Sequence, residues 1–177
     1  MFCNRGTGHK TLADDTQAQA HAAGILFTNG THVLAAHQRK NGREIISGLG
    51  GKMEAADPTP YYAAVRETLE ELFDIEPSTH LISRICSDIQ PIHTEATAGY
   101  TNHQLSFDDL EQILLIVSRS DAISPIYPGG AVPTIDELLL RRKPKKNSEV
   151  RALSIMAVSA AWNVDADFAA DLASIKD

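Results

Sequence analysis

Gly50-Gly51-Lys52-Met53-Glu54 and, further along, Arg66-Glu67-Thr68-Leu69-Glu70-Glu71 decide how this chain is read. Together they join a glycine turn to a helix that carries three carboxylates on one side. With Arg66 at zero and an advance of about 100° per residue, Glu70, Glu67 and Glu71 fall at about 40°, 100° and 140°. Tyr61, Leu72, Val65, Leu69, Tyr62 and Phe73 fall between about 220° and 340°. One face is apolar and suited to a core. The other gathers acids that repel one another unless a divalent cation neutralises them. Ala63 and Ala64, at about 60° and 160°, set small side chains beside those acids and leave room for a ligand.

The flanking sequence supplies punctuation. Asp57-Pro58-Thr59-Pro60 breaks the chain and starts the helix, with Thr59 as N-cap and Pro60 at the first helical position. The helix is expected to run to about Phe73 and to end across Asp74–Pro77. Upstream, Ala22–Thr28 reads as a strand, Asn29-Gly30 as a two-residue hairpin turn and Thr31–Gln38 as the returning strand. Arg39–Arg43 reads as a basic loop and Glu44–Ser47 as a short strand. Downstream, Thr79–Ser87 is expected to hold a strand, Gln90–His103 a loop, and the apolar run Gln112–Ser118 a buried strand. Pro125–Pro133 is a Gly/Pro-rich loop and Thr134–Arg142 a short helix capped by Thr134. Val150–Val158 fits strand or helix, and Ala166–Ile175 a terminal helix. Strands, then a helix, then strands and helices again predict a mixed α/β fold.

Composition narrows the function classes. A chain of 177 residues with 43% hydrophobic content can bury one core, so residues 21–177 are expected to form a single domain behind a loose polar lead-in, 1–20. Sixteen basic against twenty-three acidic residues give a net charge of -7, unlike a general nucleic-acid coat. The two cysteines, Cys3 and Cys86, are far apart and lack zinc spacing, which suits a reduced, cytoplasmic protein. No apolar run approaches the roughly twenty residues of a membrane helix, and the first residues lack the apolar segment of a signal peptide. No membrane partner is expected.

These motifs resemble the signature of the Nudix hydrolases. Gly51 stands at its opening glycine, Asp57 where its first glutamate is expected, and Arg66-Glu67-Thr68-Leu69-Glu70-Glu71 matches its second half. The departures are one extra residue between Asp57 and Arg66, Asp for Glu at position 57, Thr68 at an aliphatic position, and Phe73-Asp74 in place of the usual glycine. The Glu70-Glu71-Leu72-Phe73 ending is weakly similar to Nudix proteins of large DNA viruses, some of which remove messenger-RNA caps.

The resemblance implies an α/β fold, a Nudix-like α/β/α sandwich around a mixed β-sheet, and a pyrophosphohydrolase using Mg²⁺ or Mn²⁺. Its metal ligands would be Glu67, Glu70, Glu71 and the Gly50 carbonyl, its base Glu71 or Glu67, and Arg66 would orient an acid of the signature. Glu149 is the candidate acid from a later loop, ahead of Asp136 and Glu137. Lys52, Arg39, Lys40 and Arg43 are candidate phosphate contacts. His93, His103, Tyr100 and Tyr127 are candidates for choosing the substrate's other end. A nucleotide or other nucleoside diphosphate derivative is the expected substrate. The basic run Arg141–Lys146 offers RNA an electrostatic grip, which keeps cap removal as the second reading. Diphosphoinositol polyphosphates, which the same run would suit, come third. The rival from another class is an inactive Nudix-like module that binds nucleotide or RNA, favoured by the irregular signature. Members of this family often pair as homodimers.

Overall fold

The computed structural model describes residues 20–175 apart from 41, 98 and 161–163, together with the backbone but not the side chain of Lys40. The expected lead-in therefore lies outside the described residues except for Ala20, and so does the side chain of Lys40 as a phosphate contact. The elements are β1 (Ala22–Phe27), β2 (His32–Lys40), β3 (Arg43–Ser47), β4 (Leu49–Lys52), α1 (Pro60–Phe73) and α2 (Thr79–Asp88). They continue with β5 (His93–Thr97), β6 (Tyr100–Leu105), α3 (Phe107–Ser118), α4 (Ile135–Leu140), β7 (Val150–Ala157) and α5 (Ala166–Ala173).

Two sheets form the mixed α/β frame. One runs β4-β1-β6-β5, with β1 and β6 parallel and the other pairs antiparallel; the second, β3-β2-β7, is antiparallel throughout. The period of two along the strands sends side chains to two cores. Ala23, Ile25 and Phe27 of β1 and Leu34 and Ala36 of β2 join α1, α2 and α3 in the main core. Leu26, Val33 and Ala35 point the other way, to Phe168 and Leu172 of α5. Helices thus cover both faces. Among the described residues, no helix is long and apolar enough to cross a membrane.

Several local expectations are overturned, each for a visible reason. Thr79–Ser87 is helix, not strand: Ser78 caps it by accepting from the Leu81 N–H, and Leu81, Ile82 and Ile85 form a buried helical stripe. Gln112–Ser118 is the second half of a helix. Ser106 and Asp109 close a capping box, and Leu110, Ile113, Leu114 and Val117 repeat at helical spacing once the upstream turn is counted. Gln90–His103 holds β5 and most of β6, which pair as a hairpin; β5 is an exposed edge strand, so it shows no apolar alternation. Arg39 and Lys40 end β2 and Arg43 begins β3, so these residues belong to paired strands where a basic loop was expected. The Asn29-Gly30 turn does join β1 to β2, but beyond the Thr28–Val33 bridge the two strands part into different sheets.

The glycines at 50 and 51 form strand rather than turn. β4 pairs with β1 through Gly24↔Gly50 and Ala23↔Gly51. A Cβ on Gly50, whose φ is +148°, would strike the β1 backbone at Ala23, and one on Gly51 would strike the Glu67 carboxylate. Their value here is close approach of main chain to the acids of α1.

Candidate active site

Helix α1 begins as its sequence requires: the Thr59 hydroxyl accepts from the Tyr62 N–H at 3.1 Å, with Pro60 opening the first turn. It ends at Asp74, in the left-handed region at φ 54°, whose N–H bonds the Glu70 carbonyl. Burial departs from the wheel. Ala63 and Ala64 are fully buried in the main core rather than open beside the acids, and Arg66, Thr68 and Glu71 are buried as well. The helix lies against β1 and β4 on one side and α2 on another, so little of it is left for solvent.

Arg66 is the hub. Its Nε and Nη2 reach the two Asp57 carboxylate oxygens at 3.2 and 3.0 Å, and Nη2 also donates to the Lys52 carbonyl at 2.9 Å. Nη1 donates to Glu67 Oε1 at 2.9 Å and to both Glu70 oxygens at 3.2 Å. Asp57 further accepts from the Glu54 N–H at 2.8 Å. Burial would push the Asp57 carboxyl up, but the bonds from Arg66 and Glu54 and the Arg66 charge hold it below its usual value. The shorter acid at position 57 thus reaches the arginine in a bidentate grip.

Glu71 is held otherwise. Its Oε2 accepts from the Gly50 N–H at 2.8 Å and its Oε1 from the Gln38 amide at 2.9 Å. Burial pushes its carboxyl up to about 8; the Gly50 bond and Arg142 oppose this, while Glu149 and Glu67 add to it. Glu67 is also raised, first by burial and then by Glu70 and Glu149, against the pull of Arg66.

Glu67, Glu70, Glu71 and Glu149 line one cleft of about 230 Å³, and Arg142 forms part of its wall. Through Glu149 the cleft adjoins a hollow of about 190 Å³ lined also by Gln38, Gly50, Tyr100, Asp167 and Asp171. A larger hollow of about 450 Å³, around His80, Arg84 and Arg119, mixes charges of both signs and contains no residue of the acidic helix face.

Of the anticipated residues, the fold gathers Glu67, Glu70, Glu71, Glu149, Gly50, Arg66 and Asp57. Lys52 lends its backbone to Arg66 while its side chain is exposed, and Arg39 and Arg43 are exposed at the β2–β3 turn. Glu137 pairs with Arg141 at 2.8 Å, apart from the cleft. Tyr127 is buried and donates to the Leu138 carbonyl, and His93 is exposed on the edge strand. His103 is buried against Tyr61, with ring centroids 5.0 Å apart, and only Tyr100 of these four lines the hollow. The basic run is partly spent. Arg142 donates to the carbonyls of Glu71, Leu72 and Val150, and Lys145 stands 3.5 Å from Asp74. Gln38 and Arg142 escaped the sequence reading. Arg142 was seen only as one charge in a run, and nothing local to Gln38 marks it.

Among the described residues, no three acidic, histidine or cysteine side chains are grouped so as to hold a metal ion; Glu67 and Glu70 are turned to Arg66. The donor chemistry nonetheless fits a hard divalent cation, because the cleft is lined by carboxylate oxygens and two of these acids are raised by burial and, after it, by the like charges of Glu67, Glu70 and Glu149.

Residues 18–171 match the model of the NUDIX domain. Solved structures similar to this chain include a NUDIX-family hydrolase from Clostridium perfringens, at 16% identity, covering 89% of this chain and 96% of that one with a TM-score of 0.39. The E. coli ORF135 protein is similar at 16% identity, over 87% of this chain and 85% of its own, with a TM-score of 0.40. A bifunctional NMN adenylyltransferase/ADP-ribose pyrophosphatase from Francisella tularensis, complexed with AMP and a manganese ion, is similar at 14% identity over 82% of this chain and 36% of its own, with a TM-score of 0.37. No curated protein matches the sequence. With its acid-bearing helix set against the Gly50-Gly51 strand and the domain match spanning nearly the whole described chain, this protein belongs to the Nudix family and is a hydrolase acting on phosphoanhydride bonds.

Proposed function

We propose that the chain is a metal-dependent pyrophosphohydrolase that splits the diphosphate bridge of a small nucleoside diphosphate derivative, releasing a nucleotide and a phosphorylated fragment. The observation that carries this is the shared cleft of Glu67, Glu70, Glu71 and Glu149, in which burial and like charge raise Glu67 and Glu71. Such a cluster gains most from a cation and an anion bound together. Mg²⁺ or Mn²⁺, held by Glu67, Glu70, Glu71 and the Gly50 carbonyl, would neutralise phosphate charge and acidify a water.

The chain's own groups do the rest. Arg66 holds Glu67 and Glu70 side by side and ties them to Asp57, so neither acid has to be ordered when substrate arrives. Glu71 in its carboxylate form takes the proton of the attacking water, with Glu67 next in line. Glu149, exposed on the far wall, supports the attacking side. The hollow beyond Gly50 takes the organic end of the substrate along Tyr100, away from the acids of α1. The basic run does not favour RNA, since Arg141, Arg142 and Lys145 already have partners.

The test is a panel of ADP-ribose, nucleoside triphosphates, dinucleoside polyphosphates and capped RNA, incubated with Mg²⁺ or Mn²⁺ and resolved by mass. Cleavage of a diphosphate bridge, abolished by metal chelation, is expected. Tight binding of any of these without turnover would replace the enzyme with a binding module.

A further inference from the structure

We infer that Gln38 is a positioning residue: its side-chain amide, together with the Gly50 N–H, sets the orientation of the Glu71 carboxylate. The catalytic half of this statement rests on the function proposed above. In β2 the row facing α1 reads Leu34, Ala36, Gln38: two buried apolar residues, then an amide. An apolar side chain would continue that row with less desolvation cost, so a polar one needs a partner. It has one in Glu71, at 2.9 Å and 33 positions away in sequence.

The two donors to Glu71 come from different sheets. Gly50 belongs to β4 beside β1, and Gln38 to β2 beside β3 and β7. Glu71 is therefore stretched across the seam between the sheets, with one oxygen tied to each. A shift at the β2–β7 pairing serves the same end. His37 faces Ala152 but Gln38 faces Val150, so Arg151 is the extra residue of a bulge. The bulge turns Val150 into the core beside Gln38 and leaves Arg151 exposed. Glu149, next along the chain, is thereby brought to the cleft wall opposite Glu71. Gln38, which faces Val150 at this irregularity, bonds Glu71, and Glu149, next to Val150, shares the Glu71 cleft.

The variant that isolates this role is Gln38→Met, of similar length and without the N–H. Its kcat on the best substrate of the panel should fall roughly tenfold to a hundredfold, with KM changed by no more than about twofold and the thermal midpoint close to the parent's. A residue that merely fills space would be replaced by Met with both kcat and the midpoint unchanged. Retention of kcat within about twofold, or a rise in KM at constant kcat, overturns the assignment.

A second measurement needs neither turnover nor a foldable variant at position 38. In the NMR spectrum of the full chain, one proton of the Gln38 side-chain amide should lie downfield and exchange slowly, and in Glu71→Ala it should move to the free-amide position. No change there refutes the contact itself. Failure of the parent to hydrolyse any compound of the panel would sink the proposed function while this amide readout still decides the contact.

Discussion

Two neighbouring turns of α1 carry carboxylates in opposite electrostatic conditions. Glu67 and Glu70 share the guanidinium of Arg66, which is anchored in turn by Asp57. Glu71, one residue further, pairs directly with no cation among the described residues and is held by a backbone N–H and a side-chain amide, both neutral. Its carboxyl is accordingly pushed up to about 8 by burial. The contrast teaches that three acids at the right helical spacing need not be three equivalent ligands. Two share the guanidinium of a neighbour on the same helix, and the third is desolvated against two sheets and held by neutral donors.

The sharpest way to break this comparison is Glu71→Gln. It should lower kcat by about 10²–10⁴-fold, because the proposed proton acceptor is lost. Steady-state kinetics check this, and turnover within a factor of ten would assign the acceptor elsewhere. Next is Arg66→Met, which leaves three acids without their cation. A loss of about 3–5 kcal/mol in urea unfolding is expected, since the Arg66 and Asp57 side chains are 10% and 2% exposed. A smaller loss would mean that water or ions replace the arginine.

The third test concerns pH. Burial pushes His103 down to about 4 from its ordinary value of 6.5. A folded pKa below the unfolded one means that the unfolded chain takes up a proton first as pH falls. Stability should therefore drop between pH 6.5 and about 4 by about 3 kcal/mol, with no further loss from this group below that. His103→Gln should remove that part of the slope in urea titrations at pH 7, 5.5 and 4.5, and an unaltered slope would clear His103 of any part in it.

Thr68 sharpens the contrast in a fourth way. It is 1% exposed and its hydroxyl has no partner among the described residues, unlike the doubly held Glu71 beside it. Thr68→Val should raise stability by about 1 kcal/mol, read as a higher urea midpoint at unchanged slope. The smallest effect is expected for Lys143→Ala with Lys146→Ala, both exposed. Activity should stay within about twofold and stability within about 0.5 kcal/mol; a flattened salt dependence on capped RNA would restore the RNA reading.

Much of the fold was legible where signals are local. The Thr59-Pro60 start, the period of α1, the capped helix after Thr134 and the strand at Ala22 all rest on residues within a few positions of one another. Legibility failed where a segment was cut too short or lacked an apolar face. The stretch Gln112–Ser118 reads as strand until Ser106 and Leu110 are added, and β5 carries no buried residue at all. Within the site, Asp57 and Glu149 were marked by position and charge. Gln38 was not, because an amide in a strand signals nothing until its partner is known.

By itself the sequence determined the acid-bearing helix, its caps, its arginine and the family to which the chain belongs, since helical periodicity and capping act over a turn or two. Only the tertiary structure decided which acid is buried, which is shared with Arg66, and that Gln38 bonds Glu71 while Glu149 shares its cleft. Those outcomes depend on desolvation and on partners brought from other strands, and burial is a property of the assembled layers rather than of any short run of residues.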